Sequence, residues 1–372
     1  MRLLLLMGTR PEAIKMAPVA KLLEGDPRFD SVIVSTGQHR ELIDQVFERF
    51  RLSVDHDLAV MQPDQSLAAL TSRLVTAIDE LLVAHDPDMV LVQGDTTTVL
   101  AGALASFYRR TPVAHVEAGL RTGNLTSPFP EEANRRVTTA LAALHFAPTE
   151  PSKENLLREH VDPSTIHVTG NTVIDALRAE VSRQEADGLR ESLLAELGLE
   201  GAPFVLVTGH RRENFGHGFE QVCGALADLA ERFPDTQWVY PVHLNPRVKD
   251  VVHERLGGAG NIRLLAPQPY GHFVALMGEC RLVLTDSGGV QEEAPGLGKP
   301  VLVMRDTTER PEGVAAGTVK LVGAQREAIV RETTRLLTDP HAYNAMAAAV
   351  NPYGDGHAAE RIVDAIARYF SR

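Results

Sequence analysis

Three carboxylates stand out by where they fall in the chain: Asp95, Glu117 and Glu131. Asp95 follows the apolar run Met89-Val90-Leu91-Val92 and precedes a helix-like run, while Glu117 follows Pro112-Val113-Ala114-His115-Val116. Each comes just past a predicted strand end. In an open parallel sheet that edge is where ligands bind, so both acids would face one crevice if their strands share a sheet. Glu131 follows Pro128-Phe129-Pro130 in the first turn of the next predicted helix, where the ordinary role of a carboxylate is to complement the helix N-terminus. Three acids aimed at one crevice are harder to read that way.

A second group of residues suits an anion. Gly8-Thr9-Arg10-Pro11-Glu12 joins the first predicted strand to the first helix, with Lys15 about one turn further on. Such a junction offers backbone N–H groups and a positive helix end, to which Arg10 and Lys15 add charge; the plain alternative is a strand-to-helix turn. Thr285-Asp286-Ser287-Gly288-Gly289-Val290-Gln291-Glu292-Glu293 follows another apolar strand. Ser287, Gly288 and Gly289 would let amides approach a diphosphate closely, and Glu293, one turn later, could accept both hydroxyls of a ribose. The plain alternative is a serine cap. His210, in Thr208-Gly209-His210-Arg211-Arg212, is placed for proton or phosphate work near neutral pH, although a lone histidine is commonly structural. Tyr240-Pro241-Val242-His243 and Arg305-Asp306-Thr307-Thr308-Glu309-Arg310 end later strands, and Arg310 is a candidate phosphate or carboxylate partner against the plain reading of a solvated arginine.

Several chemistries lack their signatures. There is no Gly-x-Gly-x-x-Gly fingerprint, no phosphate-loop motif, no His-x-x-x-His metal spacing and no Gly-x-Ser-x-Gly nucleophile elbow. No metal site is expected.

The elements that must position these groups alternate regularly. Strand-like runs at 2–7, 31–36, 89–92, 112–116 and 144–147 interleave with helix-like segments at 12–24, 39–50, 66–84, 97–110 and 131–142. That is the pattern of βαβ units in a parallel sheet. Near Thr169-Gly170-Asn171-Thr172 two helical segments follow one another, separated by Asp187-Gly188, and a second alternating set begins with strands near 204–208, 237–242, 262–265, 282–285, 300–303 and 319–322. The fold class expected is α/β, with two Rossmann-like domains facing a central cleft. Residues 1–171 would form the acid-bearing domain and residues 172–356 the other, followed by a last amphipathic helix at 357–372.

Composition agrees with a globular chain of two domains: 372 residues, 44% hydrophobic and 23% charged. A formal charge of -12 without a basic block argues against nucleic acid as a partner. No apolar run is long enough to span a bilayer, so no membrane is expected. Cys223 and Cys280 make no disulfide framework, which fits the cytoplasm, and both read as buried small hydrophobes.

Taken in order, Gly8 to Lys15, Gly94 to Thr98, His115 to Arg121, Pro130 to Arg135, Gly209 to Glu213, Asp286 to Glu293, Arg305 to Glu312 and Asn351 to Gly356 closely resemble the motifs of bacterial non-hydrolysing UDP-N-acetylglucosamine 2-epimerases. The likeness covers nearly the whole chain. It implies a glycosyltransferase-B-type fold, a homodimer, and interconversion of UDP-N-acetylglucosamine with UDP-N-acetylmannosamine by anti elimination of UDP and re-addition through 2-acetamidoglucal. It also implies that the last helix crosses back to the first domain. By the same resemblance Asp95, Glu117 and Glu131 share the base, acid and cation-stabilising roles and His210 assists the leaving diphosphate. Arg10, Lys15, Ser287, Gly288, Gly289, Glu293 and Arg310 match UDP-binding positions, with Gln268 and Phe273 near the uracil. No cofactor is needed, because nothing is oxidised. A second UDP-N-acetylglucosamine, bound near Gln38, His39, Arg40, His243 and one of Arg211 or Arg212, would act as activator. The competing readings are a hydrolysing epimerase, which releases N-acetylmannosamine and UDP, a glycosyltransferase on the same fold, and a nucleotide-sugar sensor without turnover.

Overall fold

The computed structural model describes residues 1–37, 40–62, 64–211 and 214–371. Two compact units emerge, Met1–Arg178 with Tyr353–Arg372 as the first and Ala179–Pro352 as the second. Each is an α/β unit around one parallel sheet, giving two Rossmann-like domains.

The first sheet contains β1 (Arg2–Met7), β2 (Asp30–Ser35), β3 (His56–Asp57), β4 (Met89–Gln93), β5 (Val113–Val116), β6 (Leu144–Ala147) and β7 (Ile166–Val168). They lie in the order β3-β2-β1-β4-β5-β6-β7, every pairing parallel. The unbroken apolar character of β1 and β4 follows from this place: helices cover both faces, so Leu3 to Met7 and Met89 to Val92 are all fully buried. The helix Leu67–His85 shows the complementary pattern, burying Leu70, Leu74, Ile78 and Leu82 at every fourth position and starting at the Ser66 cap. Strand order reverses between β1 and β4, and at such a switch point the strand ends leave room for a ligand.

The second sheet contains β8 (Phe204–Thr208), β9 (Gln237–Pro241), β10 (Ile262–Leu265), β11 (Val283–Thr285), β12 (Val301–Val303) and β13 (Val319–Leu321). Its order, β10-β9-β8-β11-β12-β13, is again parallel throughout, with the reversal between β8 and β11. Trp238, Phe219, Leu226, Leu229 and Ile329 fill the core against this sheet.

The helix Ala358–Phe370 belongs to the first unit and packs on the helix Arg10–Glu24. Its face of Ile362, Val363 and Ile366 is buried. The start of this helix is held by Asp175, whose Oδ2 and Oδ1 accept the backbone N–H groups of Ala358 and Ala359 at 3.2 and 2.8 Å. Burial raises the Asp175 carboxyl above its ordinary range despite these bonds.

The expected strands appear within one or two residues of their anticipated limits. The sequence pattern does not reveal β3, of two residues, or β7, of three, nor the helix Glu150–Arg158. Among the described residues no helix is long and apolar enough to cross a membrane.

Candidate active site

In the first unit the chemistry gathers at the C-terminal ends of β1, β4 and β5, three neighbours in the sheet. After β1 the chain turns into the helix Arg10–Glu24 through a capping box. Glu12 Oε2 accepts the backbone N–H groups of Gly8 at 3.0 Å and Thr9 at 2.5 Å, and the Thr96 hydroxyl donates to Glu12 Oε1 at 2.7 Å. Glu12 thereby links the turn bearing Arg10 to the turn bearing Asp95. It is almost completely buried, and burial outweighs its hydrogen bonds, raising it to about 7.

Glu117 follows β5 with φ 65°, in the left-handed region that a glutamate seldom occupies. A backbone held there costs roughly 1–3 kcal/mol, so the surroundings must fix it. Gly119, at φ 92°, completes the turn; a Cβ there would lie 2.2 Å from the Ser152 carbonyl oxygen. The Glu117 carboxylate is buried against Lys15, with Nζ 2.6 Å from Oε1. Asn171 Nδ2 donates to the same oxygen at 3.3 Å, and Gln93 Nε2 donates to Oε2.

Asp95 Oδ2 accepts Arg135 Nε and Nη2 at 2.9 and 2.6 Å, while its backbone carbonyl accepts Asn134 Nδ2 at 2.8 Å. Glu117 Oε2 stands 3.7 Å from where a Cβ of Gly94, the residue before Asp95, would be. His115 Nε2 is 2.7 Å from the Gly94 carbonyl, and burial pushes this imidazole down to about 3, so it is neutral and donates through Nε2.

The two acids that open the helix Glu131–Leu141 differ in kind. Glu132 is sealed in: it accepts the N–H groups of Thr122 and Gly123, both at 3.1 Å, and Arg135 Nη1 at 3.1 Å. Burial works against its charge, but those donors hold it below the usual carboxylate range. Glu131 has a buried Oε2 with no hydrogen-bond partner among the described residues. One acid therefore builds the loop, and the other keeps an oxygen open for something else.

In the second unit the ends of β8, β11 and β12 form a different surface. Ser287 occupies the N-cap position of the helix Gly288–Gly296 without a side-chain capping bond, so it is not the plain serine cap. A Cβ on Gly288 would lie 2.7 Å from Arg310 Nη1, so only glycine lets the guanidinium rest against this helix start. Arg310 Nε donates to Glu292 Oε1 at 2.6 Å, and Nη1 lies 3.2 Å from Glu309 Oε1. Burial would raise Glu309, but Arg310 and Arg305 beside it bring it down to about 2. Glu293 lies close to Gly289 and accepts the Tyr270 hydroxyl at 3.0 Å.

His210 follows β8, half-buried, with its ring stacked on His243 at 5.4 Å between centroids. Burial lowers it from the ordinary histidine value. Arg211 Nη2 is 3.9 Å from Glu309 Oε1. Gln268, in the turn after β10, donates Nε2 to the Ala266 carbonyl at 2.8 Å, and half-buried Phe273 lies in the helix Tyr270–Glu279. Gln38, His39 and Arg212, and the side chain of Arg40, lie outside the described residues. Among the described residues no cluster of three His, Cys, Asp or Glu could hold a metal ion.

Sequence reasoning gave no role to Glu12, Gln93, Asn134, Arg135, Asn171, Tyr270 or Asp286. The Thr9-to-Glu12 spacing was a readable signal for a capping box, whereas nothing in spacing announces a pair such as Lys15 with Glu117, 102 residues apart.

Residues 21–367 match the family model described as UDP-N-acetylglucosamine 2-epimerase. The chain is 56% identical over 371 residues to the UDP-N-acetylglucosamine 2-epimerase of Escherichia coli K12, covering 98% of each. It is also similar to the crystal structure of UDP-GlcNAc 2-epimerase from Neisseria meningitidis bound to UDP-GlcNAc, with TM-score 0.95, 47% identity and coverage of 99% of this chain and 100% of that one. A third likeness is to the Methanocaldococcus jannaschii UDP-GlcNAc 2-epimerase in complex with UDP-GlcNAc and UDP, with TM-score 0.86, 34% identity and the same coverage. Sequence and fold agree along the whole length, and the chain belongs to the UDP-N-acetylglucosamine 2-epimerase family.

Proposed function

We propose that this chain interconverts UDP-N-acetylglucosamine and UDP-N-acetylmannosamine without net hydrolysis. The observation that carries this is the set of acids at the strand ends of the first unit: Asp95 held by Arg135, Glu117 held by Lys15, and Glu131 with an unpaired buried oxygen. Carbon 2 of the sugar has no neighbouring carbonyl, so loss of its proton from the ground state would leave an unstabilised carbanion. Departure of UDP develops positive charge on the anomeric carbon, which a carboxylate stabilises while another takes the adjacent proton. The products of this anti elimination are 2-acetamidoglucal and UDP. Re-addition of UDP, with a proton delivered to the opposite face, inverts carbon 2.

In this reading the three acids share the base, acid and cation-stabilising roles, and His210 assists the diphosphate. Arg10, Lys15, Ser287, Gly288, Gly289, Glu293 and Arg310 bind UDP, with Gln268 and Phe273 beside the uracil. A homodimer is supported by the exposed Val83, Phe107 and Tyr108 on the helices Leu67–His85 and Thr97–Arg109. An activating second UDP-N-acetylglucosamine would use His243 and Arg211, and a reducing cytoplasm suits the two buried thiols.

The test is incubation with UDP-N-acetylglucosamine in deuterium oxide, without acceptor, followed by mass spectrometry. Deuterium at carbon 2 of both UDP-sugars supports the proposal. Stoichiometric accumulation of UDP would identify a hydrolase, and absence of exchange would sink the mechanism.

A further inference from the structure

Asp286, fully buried just past β11, is tied to the strand-end turn that carries His210. Its Oδ2 accepts the backbone N–H groups of His210 and Arg211 at 2.9 and 2.8 Å, and Asn214 Nδ2 at 3.4 Å. Asn214 Nδ2 also reaches the Met304 carbonyl, at 3.1 Å. The other oxygen, Oδ1, is buried and has no hydrogen-bond partner among the described residues. Facing it at 3.5 Å is His210 Nδ1. A buried carboxylate oxygen is unfavourable unless a donor meets it, and a proton on Nδ1 is the donor that this geometry offers.

We propose that Asp286 is the positioning residue for His210, fixing its proton on Nδ1 and stabilising the imidazolium that forms when a diphosphate stands opposite Nε2. The inference rests on the reading that the second unit binds UDP. In the free protein burial, and after it the charges of Arg211 and His243, disfavour a second proton on this ring, while Asp286 favours it. His243 Nδ1 accepts the N–H of Asn245 at 3.1 Å, so its own donor, when it is neutral, is Nε2. The Tyr240 hydroxyl donates to the Gly209 carbonyl at 3.1 Å, and burial keeps it protonated. An arriving diphosphate supplies the missing negative charge. The ring then takes one proton from solvent at Nε2, donates it as a hydrogen bond to a phosphate oxygen, and returns it when UDP leaves.

A loop pin alone would need only Oδ2, and the substitution Asp286→Asn separates the two roles. The amide oxygen can still accept both backbone N–H groups, but the amide nitrogen then faces Nδ1 and drives the ring proton to Nε2. The experiment is nitrogen-15 NMR of the histidine rings in the full chain, with His210 assigned by its loss in His210→Gln. Free wild type is expected to carry the proton on Nδ1, UDP-bound wild type to carry both, and Asp286→Asn to carry it on Nε2. Turnover of Asp286→Asn should fall on the order of 100-fold with UDP affinity weakened as well, and adding the substitution to His210→Gln should cost little more. A free wild-type ring protonated on Nε2, wild-type turnover in Asp286→Asn, or a large further loss on the His210→Gln background would each overturn the proposal. The wild-type spectrum decides even if the variant fails to fold. Deuterium exchange by the wild type tests the epimerase reading separately.

Discussion

The two units share a parallel sheet with a central reversal of strand order, yet they furnish their strand ends in opposite ways. The first places acids there and holds two of them against cations, Glu117 by Lys15 and Asp95 by Arg135. The second places backbone amides, glycines, a histidine and arginines there, and steadies Arg310 with Glu292 and Glu309. A held carboxylate stays aimed, which suits proton transfer; a held guanidinium beside a glycine-opened helix start suits an anion. One scaffold thus presents two kinds of surface through its connecting turns.

The largest expected effect tests that division directly. Asp95→Asn, Glu117→Gln and Glu131→Gln should each lower turnover by about 100- to 10,000-fold while UDP affinity, measured by calorimetry, changes little. Wild-type turnover in all three would erase the distinction between the units.

Stability against pH sharpens it further. Glu12 is raised from 4.5 to about 7, so the stability it contributes is fully present below 4.5 and lost as the pH rises through 7. Relative to Glu12→Gln, the wild type should lose on the order of 3 kcal/mol between pH 4.5 and 7, measured by urea unfolding at each pH. Glu309 in the second unit is low already and adds no change across that window.

Gly288→Ala should spare folding, since alanine is the better helix former, but its methyl would displace Arg310. UDP affinity should weaken by about 10- to 100-fold, the effect of losing a hydrogen bond to a charged group. Glu293→Ala should act in the same direction. Unchanged affinity in both would remove the second unit from UDP binding. The smallest effect is on thiol chemistry: burial pushes Cys223 up to about 11 and Cys280 up to about 12, so neither should react with a thiol reagent before unfolding.

Much of this was legible in the sequence because strands buried on both faces leave unbroken apolar runs. The ends of Met89–Gln93 and Val113–Val116 located Asp95 and Glu117 without any structure. The two-residue β3 was invisible because so short a segment has no periodicity. Glu131 and Glu132 are neighbours of one type, and only packing assigns one to the loop and leaves an oxygen of the other unpaired. Glu12 has no role legible in the sequence; its burial and its bond to Thr96 depend on contacts that composition does not encode.

The Asp175 contact with Ala358 and Ala359 spans 183 and 184 residues, and it joins the first unit across the whole length of the second. During synthesis, all of Ala179–Pro352 is therefore made before the segment that finishes its predecessor exists. The earlier-made portion must wait with the flank of Arg10–Glu24 bare, and a nascent chain halted near residue 350 would show that apolar flank to chaperones and proteases.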